Sequence, residues 1–113
     1  MKNKINVLGT EIRIEEREES EDQKLKNCVG YFDSSLHLIV LKKLVPDATS
    51  LGDLDRFQKE VLRHELIHAF LYESGLDGSS GTSENWATNE EMVDWFAIQS
   101  PKIFKVFQEL GVL

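Results

Sequence analysis

Two histidines separated by three residues constrain this chain more than any other feature of its sequence. Residues 64–68 read His64-Glu65-Leu66-Ile67-His68, inside a stretch whose apolar spacing predicts a continuous amphipathic helix. Side chains four residues apart on a helix are neighbours, with Cβ atoms about 5–6 Å apart, so both imidazoles can reach one Zn²⁺ ion. Glu65 then faces the open position of the metal, where it can accept a proton from bound water. The motif therefore predicts a zinc site with Glu65 as its general base.

Length and charge favour one small acidic domain that does not bind nucleic acid directly. The chain has 113 residues, close to the usual size of a single domain, and its 41% hydrophobic and 29% charged residues form an ordinary globular mixture. Its net charge is −7. Binding to a phosphate backbone depends on clustered lysine and arginine, which release counterions, and the sequence has no such basic cluster. We therefore expect no nucleic acid as a direct partner.

Cysteine content and hydropathy indicate a soluble, cytoplasmic chain. Cys28 is the single cysteine, so no intramolecular disulfide can form, and we interpret it as a small buried apolar residue. No apolar stretch of about 7–15 residues precedes Glu11 and Arg13, so we expect no signal peptide. No run approaches the ~20 apolar residues of a membrane span, so we expect no membrane partner.

The order of hydrophobic patterns predicts an α+β fold in one domain, 1–113. Alternating apolar residues predict a sheet region of three or four strands over 1–45, with the strand at 36–42 as the edge beside the site. The sheet is expected to pack on the helix that carries the two histidines. The predicted segments after the sheet are the active-site helix 53–73, a flexible loop 74–83, a helix 88–99 and a C-terminal helix 101–110 that begins at Pro101.

A tight catalytic zinc site needs a third protein ligand, and the second helix offers one. The extended metzincin motif fails, because Leu71 and Ser74 stand where its glycine and third histidine are required. Glu90 and Asp94 are four residues apart, so both project from one face of the helix. One carboxylate can bind the metal while the other accepts a hydrogen bond from the outer nitrogen of a ligand imidazole.

Glu91 is the alternative third ligand. Thr88 to Glu91 spells T-x-x-E, a capping box in which the Glu91 side chain bonds to the amide of the N-cap residue. That role leaves Glu90 free for the metal, so we favour Glu90 and keep Glu91 as its rival.

Two further residues are candidates for contacts with substrate or transition state. His37 could stabilise an oxyanion if its strand faces the cleft, and otherwise is a strand surface residue. Tyr72 follows His68 by four positions and could donate a hydrogen bond near the metal, although a half-buried packing tyrosine is the commoner outcome. Trp86, Trp95 and Phe96 are expected to be core aromatics that hold the second helix to the first.

The spacing of these motifs resembles a known enzyme family. An H-E-x-x-H helix followed about twenty residues later by N-E-x-x-x-D on a second helix is similar to the gluzincins, of which thermolysin is the familiar member. Matched position by position, the resemblance implies His64, His68 and Glu90 as zinc ligands and Glu65 as general base. It also implies Asp94 as the hydrogen-bond partner of His64.

The stretch 61–103 more closely resembles the small bacterial and phage metallopeptidases of the ImmA/IrrE kind. This resemblance implies a minimal zincin-like fold, Zn²⁺ as cofactor, a phage or mobile-element gene and hydrolysis of a polypeptide in the cytoplasm of a bacterial host. The alternative function is a zinc-stabilised binding or inhibitor domain that cleaves nothing, which the small size of the chain favours. Four protein ligands around the metal would indicate that alternative, whereas Glu65 between the histidines argues for catalysis. The sequence leaves the substrate and the oligomeric state open.

Overall fold

A four-stranded mixed sheet and two long helices form the described part of the chain, residues 3–45, 52–80 and 86–113 of a computed structural model. The α+β class predicted from the sequence is confirmed. The elements in chain order are β1 Lys4–Val7, β2 Thr10–Arg17, short 3₁₀ helices at Glu19–Glu21 and Gln23–Lys26, β3 Gly30–Asp33, β4 Leu38–Lys42, α1 Leu54–Glu73, α2 Leu76–Ser80, a 3₁₀ turn at Trp86–Thr88 and α3 Glu90–Glu109.

The strand order in the sheet is β1-β2-β4-β3, with β2 and β4 parallel and the outer pairs antiparallel. The prediction that the strand at 36–42 is an edge is therefore wrong, because β4 lies between β2 and β3, and the edge strands of this sheet are β1 and β3. Four consecutive residues of β4, 38–41, are buried, so the strand needs cover on both faces and neighbours on both sides. Leu36 and His37 lie before the strand in an exposed turn, where His37 has a left-handed φ of 50°.

The core lies on both faces of the sheet. On one face, α1 contributes Val61 and Ala69 to a cluster with residues from β1, β2 and β4. On the other face, Leu25 from the second 3₁₀ helix covers Leu38 and Val40. Side chains alternate across a strand, so β4 supplies residues to both clusters and anchors α1 to the sheet.

Edge strand β3 lies directly against α1 at Gly30. A Cβ atom at this position would lie 2.9 Å from Cγ1 of Val61 and 3.1 Å from the carbonyl oxygen of Val40. Both distances are too short for an ordinary contact, so only glycine allows the strand to approach the helix this closely. The strand and the helix that carries the two histidines therefore form adjoining walls.

The boundaries of α1 follow the sequence signals. The Asp53 side chain accepts a hydrogen bond from the Arg56 amide at 3.0 Å, and Gly75, with φ of 86°, follows the last turn. The prediction of a helix over 53–73 is confirmed within one residue. The predicted loop 74–83 is wrong at 76–80, which form α2, where the Ser74 hydroxyl accepts a bond from the amide of Leu76. Residues 81–83 of that predicted loop lie outside the described ranges.

Helix α3 continues through Pro101, although the sequence predicts a break between helices 88–99 and 101–110. A proline inside a helix leaves the carbonyl four residues earlier without its N–H donor. Here that carbonyl belongs to Ala97, which is fully buried, and Nε of Arg63 on α1 donates to it at 2.6 Å. The prediction is wrong because a side chain of the neighbouring helix supplies the missing donor.

Small residues, not aromatic ones, lie on the buried face of α3. Val93, Ala97 and Ser100 are buried at helical spacing where α3 packs against α1. Trp86 and Trp95 are 59% and 58% exposed, so the expectation that they and Phe96 form the core is wrong. Close helix contacts favour small side chains at the interface, which places the aromatic rings outside. No helix in residues 3–45, 52–80 and 86–113 has the length and apolar character needed to cross a membrane.

A polar cluster links Asp22, which lies between the first two 3₁₀ helices, to Tyr31 on β3. The Tyr31 hydroxyl donates to Asp22, and Nη1 of Arg17 donates to the same carboxylate at 2.9 Å. The hydrogen bond from Tyr31 lowers the pKa of the Asp22 carboxyl. Burial, with the bond to Asp22 as the second cause, raises the pKa of Tyr31 to about 12.

We expect Arg63→Met to lower the free energy of unfolding by about 1–3 kcal/mol, because the buried Ala97 carbonyl loses its donor. In a Pro101→Ala background the same substitution should cost about 1 kcal/mol less, since the alanine at that position can donate its own amide. Urea unfolding of the four chains, followed by circular dichroism, measures the difference. An equal cost in both backgrounds would contradict this account of the proline.

We expect the wild type to lose stability relative to Tyr31→Phe as pH rises from about 10 to about 12. The folded state binds the Tyr31 proton more tightly than the unfolded state, so this contribution is complete below pH 10 and disappears through the folded pKa. Urea midpoints of both chains across pH 8–12 give the comparison, in which lysine titration is common to both. Parallel pH profiles would refute the role of this hydroxyl.

Candidate metal centre

The two histidines of the motif converge as helix geometry requires. His64 and His68 lie on one face of α1, one turn apart, and their Nε2 atoms are 3.2 Å from each other. Both side chains are mostly buried, at 18% and 19% exposure. Two ring nitrogens at this distance can share a proton or a cation.

The start of α3 places Glu90 against both imidazoles. Asn89 is the N-cap residue, with its side chain accepting from the Met92 amide at 2.8 Å, so the capping box predicted from Thr88 is wrong by one residue. The Asn89 amide oxygen takes the capping bond because Thr88 belongs to the preceding 3₁₀ turn. Glu90 is consequently the first residue of the helix, and its two carboxylate oxygens lie 3.0 Å from Nε2 of His64 and 2.8 Å from Nε2 of His68.

These three side chains fit one zinc ion. The donor atoms of His64, His68 and Glu90 all lie within 4.8 Å of one another. With bonds of about 2.0–2.1 Å, ligands at the corners of a tetrahedron are about 3.3 Å apart, close to the distances found here. Two imidazoles with one glutamate form a donor set that catalytic zinc sites use.

Asp94 lies beside His64, the imidazole that the resemblance to gluzincins implies as its partner. Its Oδ1 is 3.3 Å from Nδ1 of His64, on the ring edge opposite Glu90. A neutral imidazole has a single N–H group, so it cannot donate to both carboxylates. With that N–H directed to Asp94, the lone pair of Nε2 is available to a cation held between His64 and Glu90.

Glu65 is a buried acid beside His64, His68 and Glu90, the three side chains that form the candidate metal-binding group. Its side chain is 7% exposed and makes no hydrogen bond to another residue of the described chain. Burial raises the pKa of the Glu65 carboxyl to about 7, with His64 lowering it and the negative charge of Glu90 raising it. A bound cation would favour the ionised carboxylate and lower this pKa again.

The surroundings of His68 favour its neutral, metal-binding form. Burial lowers the pKa of the His68 imidazole, against the opposing charges of Glu90 and Asp77. Only an unprotonated ring nitrogen can bind a metal ion.

The group opens on a cleft of about 610 Å³ between β3 and α1. Gly30, Tyr31 and Phe32 of the edge strand form one wall, and the motif side chains form another. Cys28 lies at this wall, where its Sγ donates to the Lys24 carbonyl at 3.2 Å. It is only partly buried, so the expectation of a core cysteine is wrong.

Tyr72 and His37 lie outside the lining of this cleft. The Tyr72 ring contacts the Phe32 ring edge to face, with centroids 5.9 Å apart, and is 40% exposed. His37 occupies the exposed turn before β4 rather than a strand. Neither side chain approaches the metal-binding group, and Glu91 is an exposed residue outside the cleft as well.

Sequence reasoning missed two acidic residues in the cleft, Glu60 and Asp77. Glu60 precedes His64 by four positions, and this spacing could have placed both on one face of α1. Asp77 lies on α2, within the segment predicted as a loop, so no periodicity pointed to it.

Comparison of the chain with protein-family models, with curated proteins and with solved structures finds no match. The chemistry of this site must therefore be inferred from its own residues.

We expect zinc affinity to fall by at least about 100-fold in His64→Ala and Glu90→Ala, and by about 10–100-fold in Asp94→Asn, which only orients a ligand. Glu91→Ala is the matched control, because it removes a neighbouring carboxylate that lies outside the cleft. Competition with a chromophoric chelator at pH 7 gives the affinities. A larger loss in Glu91→Ala than in Glu90→Ala would show that Glu91 is the ligand.

Proposed function

We propose that this protein is a zinc-dependent metallopeptidase with a minimal zincin-like domain. The observation that carries the proposal is the convergence of His64, His68 and Glu90 beside Glu65, a mostly buried residue that lines the cleft and has no hydrogen-bond partner in the described chain. The order of sheet, motif helix and glutamate-bearing helix agrees with the resemblance to gluzincins. The substrate is a polypeptide.

His64, His68 and Glu90 would hold the zinc, with Asp94 orienting the first imidazole. A zinc ion supplies Lewis acidity, which polarises a carbonyl group and favours the deprotonation of water. Glu65 lies next to this group and lines the cleft, so its carboxylate can accept a proton from water. The same carboxyl can then donate that proton to the leaving amine.

Edge strand β3 is the proposed guide for the substrate. It pairs with β4 on one side only, and 30–32 line the cleft that contains the metal-binding group. An extended peptide can add to such an edge through main-chain hydrogen bonds. The sequence-based choice of the strand at 36–42 for this role is replaced by β3, because both sides of β4 are already paired.

The number of ligands favours catalysis over a purely structural zinc. Structural sites close the metal with four protein ligands, whereas a catalytic site keeps one position open. In the described chain three side chains share the group, and the nearby Asp94 lies 3.3 Å from the outer nitrogen of His64 instead. Glu65 has no structural partner there that would explain an acid in a buried position.

Glu65→Gln tests the proposal directly. It preserves the shape of the side chain and all three ligands, so zinc content should stay at about one ion per chain while peptide hydrolysis falls by about 10²–10⁴-fold. Glu91→Gln, the matched control, should keep both zinc and activity. Cleavage of a quenched fluorogenic peptide mixture, alongside elemental analysis, gives both readouts. Full activity in Glu65→Gln, or no hydrolysis by the zinc-loaded wild type, would refute a peptidase that uses this acid.

A further inference from the structure

We propose that the cleft selects polypeptide segments with lysine or arginine side chains next to the metal-binding group. This inference rests on the proposed function for the reaction, but the binding preference itself depends only on the cleft. It assigns a role in specificity to Glu60 and Asp77, which the proposed chemistry does not use.

The lining of the cleft is acidic. Five carboxylates line it, and no lysine or arginine is among the described residues that do so. Three of the five already have roles: Glu90 as ligand, Glu65 as acid and base, and Asp94 as partner of His64. Glu60 and Asp77 remain.

These two carboxylates lie on either side of the metal-binding group. Glu60 is one helical turn before His64 on α1, about 6 Å along the helix axis. Asp77 follows the other end of α1, on α2, and its charge acts on His68. A segment that lies along the cleft across the two histidines therefore passes one carboxylate on each side.

Glu60 and Asp77 are available to a ligand. Neither forms an ion pair or hydrogen bond with another described residue, so no lysine or arginine of the described chain neutralises their charge. Glu65 lines the same cleft, is nine-tenths buried and has no hydrogen-bond partner in the described chain, so this cavity has room for a polar ligand.

The charge and shape of the cleft both suit a long cationic side chain. A divalent ion offsets only two of the five carboxylate charges, so the cleft stays negative when metal is bound. Phe57 and Val61 line it on the same helix as Glu60 and can contact the methylene groups of lysine or arginine. Charges within about 10 Å still attract at 0.1 M salt, so both lining carboxylates can act on such a side chain.

Binding of matched peptides to zinc-loaded Glu65→Gln tests the preference without turnover. Three dansyl-labelled peptides would be identical except at two central positions, which carry lysine, methionine or glutamate. Fluorescence anisotropy at pH 7 and 50 mM salt should show the lysine peptide binding about tenfold more tightly than the methionine peptide, and the glutamate peptide most weakly. Equal affinity of the lysine and methionine peptides, or no binding of any of the three, would overturn the proposal.

Variants at the two carboxylates locate the source of the preference. Glu60→Gln and Asp77→Asn, each added to Glu65→Gln, should reduce the lysine preference by about threefold or more. Glu16→Gln is the control, because Glu16 is an exposed residue of β2 outside the cleft and its loss changes net charge equally. A reduction as large in the control would assign the preference to net charge and refute the proposed roles.

The two proposals can fail separately. If the lysine preference is found and depends on Glu60 and Asp77 but the zinc-loaded wild type cleaves no peptide, the peptidase is refuted and the cleft remains a binding site for cationic segments. If the wild type cleaves all three peptides with equal kcat/KM and binds them equally, the peptidase stands and the specificity is refuted.

Discussion

Helix α3 packs against α1 along a face of small buried residues, and this contact holds a carboxylate of one helix against two imidazoles of the other. Glu90 stands at the first position of α3, so a shift of the helix by one residue would move it away from His64 and His68. The bond from Arg63 to the Ala97 carbonyl joins the helices about two turns further along α3. The geometry of the metal-binding group therefore depends on interhelical packing that the motif does not specify.

The sheet determines where that group opens. β4, buried on both faces, anchors α1, and β3 forms the free edge beside it. Because Gly30 has no side chain, β3 lies close enough to α1 to form one wall of the cleft. Glu65 lines the same cleft, and its burial raises the pKa of its carboxyl. One packing arrangement thus supplies the sheet edge beside the cleft, the cavity and the environment of the acid.

Errors in the sequence-based predictions come from long-range contacts. Pro101 predicts a helix break when only local geometry is considered, yet Arg63 on another helix donates to the Ala97 carbonyl that the proline leaves without its backbone donor. The strand at 36–42 has the apolar character of a buried strand, but only its two neighbours in the sheet show that it is not an edge. Trp95 has a large apolar side chain, which is typical of a core residue. It lies at the surface because the close contact between α1 and α3 leaves room only for small side chains.

The sequence by itself determined the α+β class, the extent of α1 and the convergence of His64 and His68, because residues four apart on a helix must share a face. It also placed Glu65 between them. Only the tertiary structure decided that Glu90 lies against both imidazoles, that Asp94 lies on the outer side of His64, and that the cleft is acidic. Those features depend on how α3, α2 and β3 pack around α1, and no local spacing encodes the packing of separate elements.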